Sequence, residues 1–281
     1  MLDKVYLEIT NICNLSCSFC HKTKREKRFM TEEEFNILTD RLLGRAKYLY
    51  FHLMGEPLLH PKLPEFLAIS RDKGFTPIIT TNGSLICERG KNLLSGLPYK
   101  ISISLHAPDA NPTFADENYL DSCIDFSKKA AESGCIVVLR LWNLGTDADN
   151  EPILKRLHEK FPNEWLKYRN GSNLKLADRI FLEWGEHFEW PDLNVTPCDE
   201  NAEVFCYALR NHIGVLVNGD VVPCCLDAEG ILKLGNLFDS DLDSILTSPR
   251  ARAIYDGFSC RRAAEPLCRT CGYVTRFNTN K

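Results

Sequence analysis

The sequence predicts an α/β protein: a parallel sheet with helical crossovers, followed by a small cysteine-rich part. Three observations predict it. Short apolar, β-branched runs alternate with amphipathic stretches about six times up to residue 184, and repeated strand–helix alternation implies a parallel sheet with functional residues at strand C-termini. The periodicity then fails from Trp184 to Thr196, where Trp184, Phe188 and Trp190 crowd together with Pro191 and Pro197. Beyond that point come a hairpin signal and a tail rich in cysteine. The chain divides on this reading into residues 1–184, a bridge at 185–200, and residues 201–281.

The elements follow in order. Val5 to Ile9 reads as a strand. Thr31 with Glu34 is a capping-box signature, and Phe35, Leu38 and Leu42 follow at helical spacing. Tyr48 to Leu53 is a second strand, Pro64 to Lys73 a helix closed by Gly74, and Thr76 to Thr81 a third strand. Ile101 to Leu105 is a fourth strand, followed by a helix from Asn118 to Ser133 that Gly134 caps. Ile136 to Trp142 is a fifth strand, Glu151 to Lys160 a helix, and Arg179 to Glu183 a sixth strand. In the C-terminal part, His212 to Val222 holds Asn218-Gly219 between β-type runs, a hairpin signal. A short helix spans Leu242 to Tyr255.

Composition narrows the function. With 281 residues, 44% of them hydrophobic, the chain can bury a sizeable core. Its net charge is −4, and its densest basic stretch, Lys22 to Arg28, contains Glu26. A large nucleic-acid partner needs a basic face and is not expected. The first residues show no signal-peptide pattern, and no apolar run approaches the roughly 18–20 residues of a membrane span. The expectation is a cytoplasmic protein. In a reducing compartment, 13 cysteines point to metal rather than disulfides.

Cys13-Asn14-Leu15-Ser16-Cys17-Ser18-Phe19-Cys20 is C-x3-C-x2-C in the loop after the first strand. Three thiolates can hold three irons of a [4Fe–4S] cluster and leave the fourth open for a small molecule, as catalytic zinc keeps an open position. A three-ligand zinc site is the plain alternative. The segment resembles the radical S-adenosylmethionine (SAM) superfamily, whose barrel is a partial (β/α)6 one. The resemblance covers roughly residues 4 to 184. It implies that Cys13, Cys17 and Cys20 ligate the cluster, that SAM fills the open iron, and that Phe19 sits near the adenine. Met54-Gly55-Glu56-Pro57, just after the second strand, resembles the family's Gly-Gly-Glu-Pro element with Met54 in place of the first glycine. Gly55, Glu56 and Pro57 are thereby implied at the SAM ammonium. Thr81 and Asn82 resemble the next SAM-lining stretch, Ser104 a ribose-side contact, and Arg140 a partner for the SAM carboxylate. The implied chemistry is reductive cleavage of SAM, with hydrogen abstraction from a substrate by the 5′-deoxyadenosyl radical. A reductant such as flavodoxin or ferredoxin would supply the electron.

Among the later cysteines, Cys206 precedes Gly219 by thirteen residues, Cys224 follows it by five, and Cys268-Arg269-Thr270-Cys271 is a C-x2-C pair. Two knuckle-like pieces can make a four-thiolate site for iron–sulfur or for zinc. The pattern resembles the SPASM auxiliary module in its shortened twitch form. This implies one further [4Fe–4S] cluster on Cys206, Cys224, Cys268 and Cys271. Cys198, Cys225 and Cys260 are left over, and Cys87, Cys123 and Cys135 read as core cysteines.

For the substrate, strand ends offer His52, His106 and Glu183 as candidate catalytic groups, with Glu183 beside Trp184 suited to a flat hydrogen-bonding ring. The first expectation is an enzyme acting on a small polar metabolite: a sugar, a cyclitol or a modified nucleobase. Twitch-type cyclitol dehydrogenases are similar in cysteine layout, and radical SAM queuine lyases, which release a 7-deazaguanine, are similar in size. The alternatives are a peptide-modifying maturase and a non-enzymatic iron–sulfur or zinc protein.

Overall fold

Burial alternates along the first strand, Leu2–Leu7 (β1): Val5 and Leu7 are fully buried, while Lys4 and Tyr6 face the other way. The computed structural model describes residues 2–111, 113–168, 173–196 and 203–277. After β1 come α1 (Glu32–Leu42), β2 (Ala46–Tyr50), α2 (Leu63–Asp72), β3 (Thr76–Thr81), α3 (Ile86–Ser95) and β4 (Lys100–Ser104). There follow α4 (Tyr119–Glu132), β5 (Ile136–Leu144), α5 (Glu151–Lys160), β6 (Leu166–Lys167), β7 (Leu174–Ala177) and β8 (Ile180–Glu186). The C-terminal part adds β9 (His212–Val215), β10 (Asp220–Val222), β11 (Gly235–Asn236), α6 (Leu242–Leu246), α7 (Pro249–Ser259) and α8 (Pro266–Arg269). Among the described residues no helix is long and apolar enough to cross a membrane.

The chain forms two compact units that interleave along the sequence. One comprises Met1–Asn11, His21–Met54 and Phe188–Lys281, the other Ile12–Cys20 and Gly55–His187. The sequence reading instead divides the chain at 184 and 200. The difference comes from one pairing: β9 lies parallel to β1, matching Val5 to Ile213 and Leu7 to Val215.

The first unit orders its strands β11-β10-β9-β1-β2, parallel across β9, β1 and β2 and antiparallel from β9 to β11. Just past β1, the fully buried Glu8 accepts hydrogen bonds from Arg25 (2.7 Å), the Val217 amide (3.1 Å) and the Met54 amide (3.2 Å). One carboxylate thus holds three segments that are far apart in sequence.

In the second unit, β3, β4, β5 and β8 run parallel, and β7 and β6 are added antiparallel beyond β8. Ile79, Ile101, Ile103, Leu139, Leu141 and Leu182 fill one face and are fully buried. The opposite face carries Thr80, Ser102, Ser104, Arg140 and Glu183, because successive strand residues alternate. A parallel sheet is usually apolar on both faces, so this polar face marks a site. Neither set of strands closes on itself, in keeping with a partial barrel.

Thr31 makes the full capping box with Glu34, and β3 and α5 have the expected bounds. Four features differ from the sequence reading. The β6–β7 hairpin and α3 escape the periodicity. The helix expected at Leu242 to Tyr255 is two helices, because Pro249 opens a new one at its first position, with Ser248 as N-cap. Cys87 is exposed, whereas Cys123 and Cys135 are buried.

Candidate active site and auxiliary metal centre

The loop Ile12–Cys20 is held in the second unit from two sides. On one side, Asn82 donates to Asn14 Oδ1 (3.1 Å) and to Cys13 Sγ (3.8 Å), and Asn14 donates to Ser84 (2.8 Å). On the other, the buried Asn111 accepts from the Ser16 amide (2.8 Å) and donates to Cys17 Sγ (3.0 Å) and to the Ala107 carbonyl (2.6 Å). Cys13 is exposed and Cys17 and Cys20 are half-buried. Partial burial, then the neighbouring Glu56, Cys17 and Cys20, raise the Cys13 thiol to about 11 despite the Leu15 amide. Three accessible thiols in one loop, two of them facing amide donors, fit a cluster with thiolate ligands. Asn111 escapes sequence reading because it lies about ninety residues from the motif it serves.

Gly55 takes a left-handed φ of 79°, which glycine alone adopts without strain, and the Glu56 amide then donates to the Ile12 carbonyl (2.8 Å). The Glu56 side chain turns inward. It is 1% exposed and accepts from the Leu58 amide (3.0 Å), the Thr81 hydroxyl (2.8 Å) and the Asn82 amide (2.8 Å). Burial outweighs these three donors and raises its pKa to about 6. Glu56 is therefore bonded to Thr81 and Asn82, two further residues the sequence singled out, and Pro57 begins the 3-10 turn Pro57–Leu59 that Glu56 caps.

Across the polar face, register pairs Ser104 with Arg140 and Arg140 with Glu183. The Arg140 Nε lies 4.0 Å from Glu183, and its guanidinium stacks 4.7 Å over Trp142. His106 continues the line from β4. Its ring lies 5.0 Å from Phe19, and its Nδ1 contacts the Arg140 carbonyl (3.2 Å) and the Trp142 amide (3.3 Å). Burial lowers its pKa, so the imidazole is neutral at pH 7. The second unit thus gathers Phe19, Ser104, His106, Arg140 and Glu183. His52 belongs to the first unit, where it packs edge-on against Tyr6 (5.3 Å) and Tyr50 (5.7 Å). Three residues on or beside the polar face were not singled out as site residues. The Tyr119 hydroxyl bridges the Asn82 and Ser104 carbonyls (2.8 and 2.9 Å). The paired Thr80 and Ser102 hydroxyls are buried with no hydrogen-bond partner among the described residues.

The second centre lies within the first unit. Cys206, Cys224, Cys268 and Cys271 line one cavity of about 150 Å³, and Cys225 joins them. Cys268 is on α8, and Cys224 follows β10. Position 214 is a close approach that glycine suits: a Cβ there would meet Val222 at 2.7 Å, Leu53 at 2.8 Å and the Cys224 carbonyl at 3.1 Å. Burial raises every one of these thiols, and their mutual repulsion adds to the effect at Cys206, Cys224 and Cys268. Thiols grouped this way fit a multi-iron centre that binds them as thiolates. Among the described residues no three His, Cys, Asp or Glu side chains converge on a position for one metal ion. Cys260 is exposed, and Cys198 lies outside the described residues.

An accessible three-thiol loop beside a row of polar strand residues, with a second cavity lined by cysteines, fits a protein that holds iron–sulfur at two places. Residues 7–160 match the radical SAM superfamily, and residues 206–272 match SPASM, an iron–sulfur cluster-binding domain. The chain belongs to the radical SAM superfamily and carries a SPASM region. Its cofactors are a [4Fe–4S] cluster, SAM and additional iron–sulfur in that region. It is 25% identical, over 98% of this chain and 68% of the relative, to the antilisterial bacteriocin subtilosin biosynthesis protein AlbA of Bacillus subtilis (strain 168). It is 23% identical to the S-adenosyl-L-methionine-dependent 2-deoxy-scyllo-inosamine dehydrogenase of Niallia circulans, over 98% and 96% of the two chains. The chain spans only 26% and 25% of two other curated relatives. Among solved structures, BtrN in complex with AdoMet and 2-DOIA aligns with a TM-score of 0.63 at 17% identity, over 96% of this chain and 93% of that one.

Proposed function

We propose that the protein is a radical SAM oxidoreductase acting on a small polar metabolite of the cyclitol or sugar type. The observation that carries this reading is the match, nearly end to end on both sides, to a cyclitol-amine dehydrogenase. The polar face supports it. Thr80, Ser102 and Ser104 offer hydroxyls, and Arg140 and Glu183 offer opposite charges, which suits a ligand rich in hydroxyl or amino groups.

On this reading Cys13, Cys17 and Cys20 hold the open cluster, and Cys206, Cys224, Cys268 and Cys271 hold the closed one. When bound, the open centre with SAM supplies a 5′-deoxyadenosyl radical for hydrogen abstraction, and the closed centre supplies an acceptor for the second electron of an oxidation. Asn82 and Asn111 orient the thiolates through their amide groups. Glu56 fixes the backbone from Gly55 to Pro57, whose carbonyls are the acceptors for the SAM ammonium. Arg140 pairs with the SAM carboxylate, and Phe19 and His106 flank the adenine. Neutral His106 and the Glu183 carboxylate are the bases available for the proton that an oxidised hydroxyl or amine loses. A flavodoxin or ferredoxin is the proposed reductant.

The match to AlbA favours a second reading, peptide modification. Anaerobic reconstitution with dithionite and SAM separates the two. The panel comprises aminocyclitols, sugars, a 7-deazaguanine base and cysteine-containing peptides, read out as 5′-deoxyadenosine and product. Stimulation by a cyclitol or sugar with a two-electron-oxidised product is expected. Stimulation by peptides or the base alone would overturn the reading.

A further inference from the structure

A closed four-iron centre takes four thiolates, yet five thiols line the cavity of the first unit. Cys224 lies within electrostatic reach of Cys206, Cys268 and Cys271. Its neighbour Cys225 is half-buried and lines the same cavity as the Lys4 ammonium and the Tyr6 hydroxyl. Lys4 and Tyr6 stand two residues apart on one face of β1. Both line the same cavity, and the ammonium lies 5.4 Å from the Tyr6 ring centre. The strand is fixed between β2 and β9, so this wall has a set position. Other basic groups nearby add less charge. Arg250 is neutralised by two bonds to Glu265 (2.7 and 3.1 Å). His212 is kept neutral at pH 7, with its pKa lowered to about 4 by burial and by Lys4.

We propose that Lys4, Tyr6 and Cys225 form a wall of donors and positive charge beside the auxiliary iron–sulfur centre that raises its reduction potential. Reducing an iron–sulfur centre adds negative charge. Hydrogen bonds towards its sulfurs and a fixed cation nearby favour that state. Cys225 is thus a neighbour of the centre, not a ligand. The inference rests on the oxidoreductase reading, in which this centre accepts an electron from the substrate, because a higher potential makes it a better acceptor.

The test is an EPR-monitored redox titration of the reconstituted holoenzyme. SAM perturbs the signal of the open centre only, which identifies the other. Lys4→Met, Tyr6→Phe and Cys225→Ala should each retain about eight irons per chain, as two cubanes require, and each should shift the auxiliary midpoint to more negative potential. Lys4→Arg, which keeps the charge, should leave it near the wild-type value and so controls for loss of packing. Unchanged midpoints in Lys4→Met and Tyr6→Phe with full iron would overturn the inference and leave the oxidoreductase reading standing. Loss of about four irons in Cys225→Ala would make Cys225 a ligand and also overturn it. A wild-type enzyme with only about four irons would overturn both.

Discussion

Replacing Glu56 by glutamine measures what burial costs the carboxylate at the centre of the proposed SAM site. The group is 1% exposed and accepts three hydrogen bonds, yet burial raises its pKa from the usual 4.5 to about 6. The native state therefore binds this proton more tightly than the unfolded chain does. Stability from the protonated form is fully present below about pH 4.5 and is lost as pH rises through about 6. The gap between the two values, at about 1.36 kcal/mol per pH unit, is worth about 2 kcal/mol. Somewhat more than half of it falls between about pH 5 and pH 7.5. The assay is urea unfolding of iron-free wild type and Glu56→Gln across this range, because other titrating groups cancel in the difference. The amide turns one acceptor into a donor facing a backbone N–H or the Thr81 hydroxyl, a pH-independent cost of about 1–3 kcal/mol. The slope is therefore the readout: the variant should gain on the wild type as pH rises. A flat difference, or one that runs the other way, would show that the three donors outweigh desolvation and would refute the argument.

Three further substitutions test how the sites are built. Arg25→Ala leaves the Glu8 carboxylate buried without its guanidinium, so urea unfolding should show a loss of about 3–5 kcal/mol. Asn111→Ala removes the donor to Cys17 and the acceptor for Ser16. Chelator-induced bleaching should accelerate for the SAM-responsive cluster and leave the other cluster's rate unchanged. Gly214→Ala places a methyl group against Val222, Leu53 and the Cys224 carbonyl. It should cost about 1–3 kcal/mol by overpacking and lower the iron retained in the auxiliary centre, as measured by iron content per chain.

What was legible in the sequence was local. The spacing of Cys13, Cys17 and Cys20, the Thr31–Glu34 capping box and the alternation of β3 depend on residues a few positions apart. Ser104, Arg140 and Glu183 were also picked out on strands, and the parallel register sets them in one row. What was hidden depends on contacts between distant segments. Asn111 and Tyr119 are single polar residues whose partners lie up to ninety-five positions away. The Glu56 carboxylate reads as a ligand group at a strand end, yet its own turn and the end of β3 claim it, because three nearby backbone and hydroxyl groups donate to its two oxygens. Cys87 shares its helical spacing with buried neighbours but falls on the outer side of α3. Cys225 looked redundant beside Cys224. Only the pairing of β9 with β1 brings Lys4 and Tyr6 to the cavity that it lines.

The pairing of β9 with β1 has a consequence for truncation. A chain ending at residue 196 keeps every element of the predicted barrel, and the sequence boundaries suggest that it would fold alone. The register argues otherwise. Without β9, one edge of β1 loses its hydrogen-bonded partner at Lys4, Val5, Tyr6 and Leu7, and Glu8 loses the Val217 amide. Ile213, Val215, Leu216 and Val217, all buried to within 1%, leave the same core. Four such side chains are worth about 1.5–3 kcal/mol each, and a domain of this kind has a margin of about 5–15 kcal/mol. The truncated chain should therefore aggregate or melt without a cooperative transition in circular dichroism, whereas the full iron-free chain melts cooperatively. A monomeric 1–196 fragment that unfolds cooperatively near the full-length midpoint would show that β1 and β2 are held without β9.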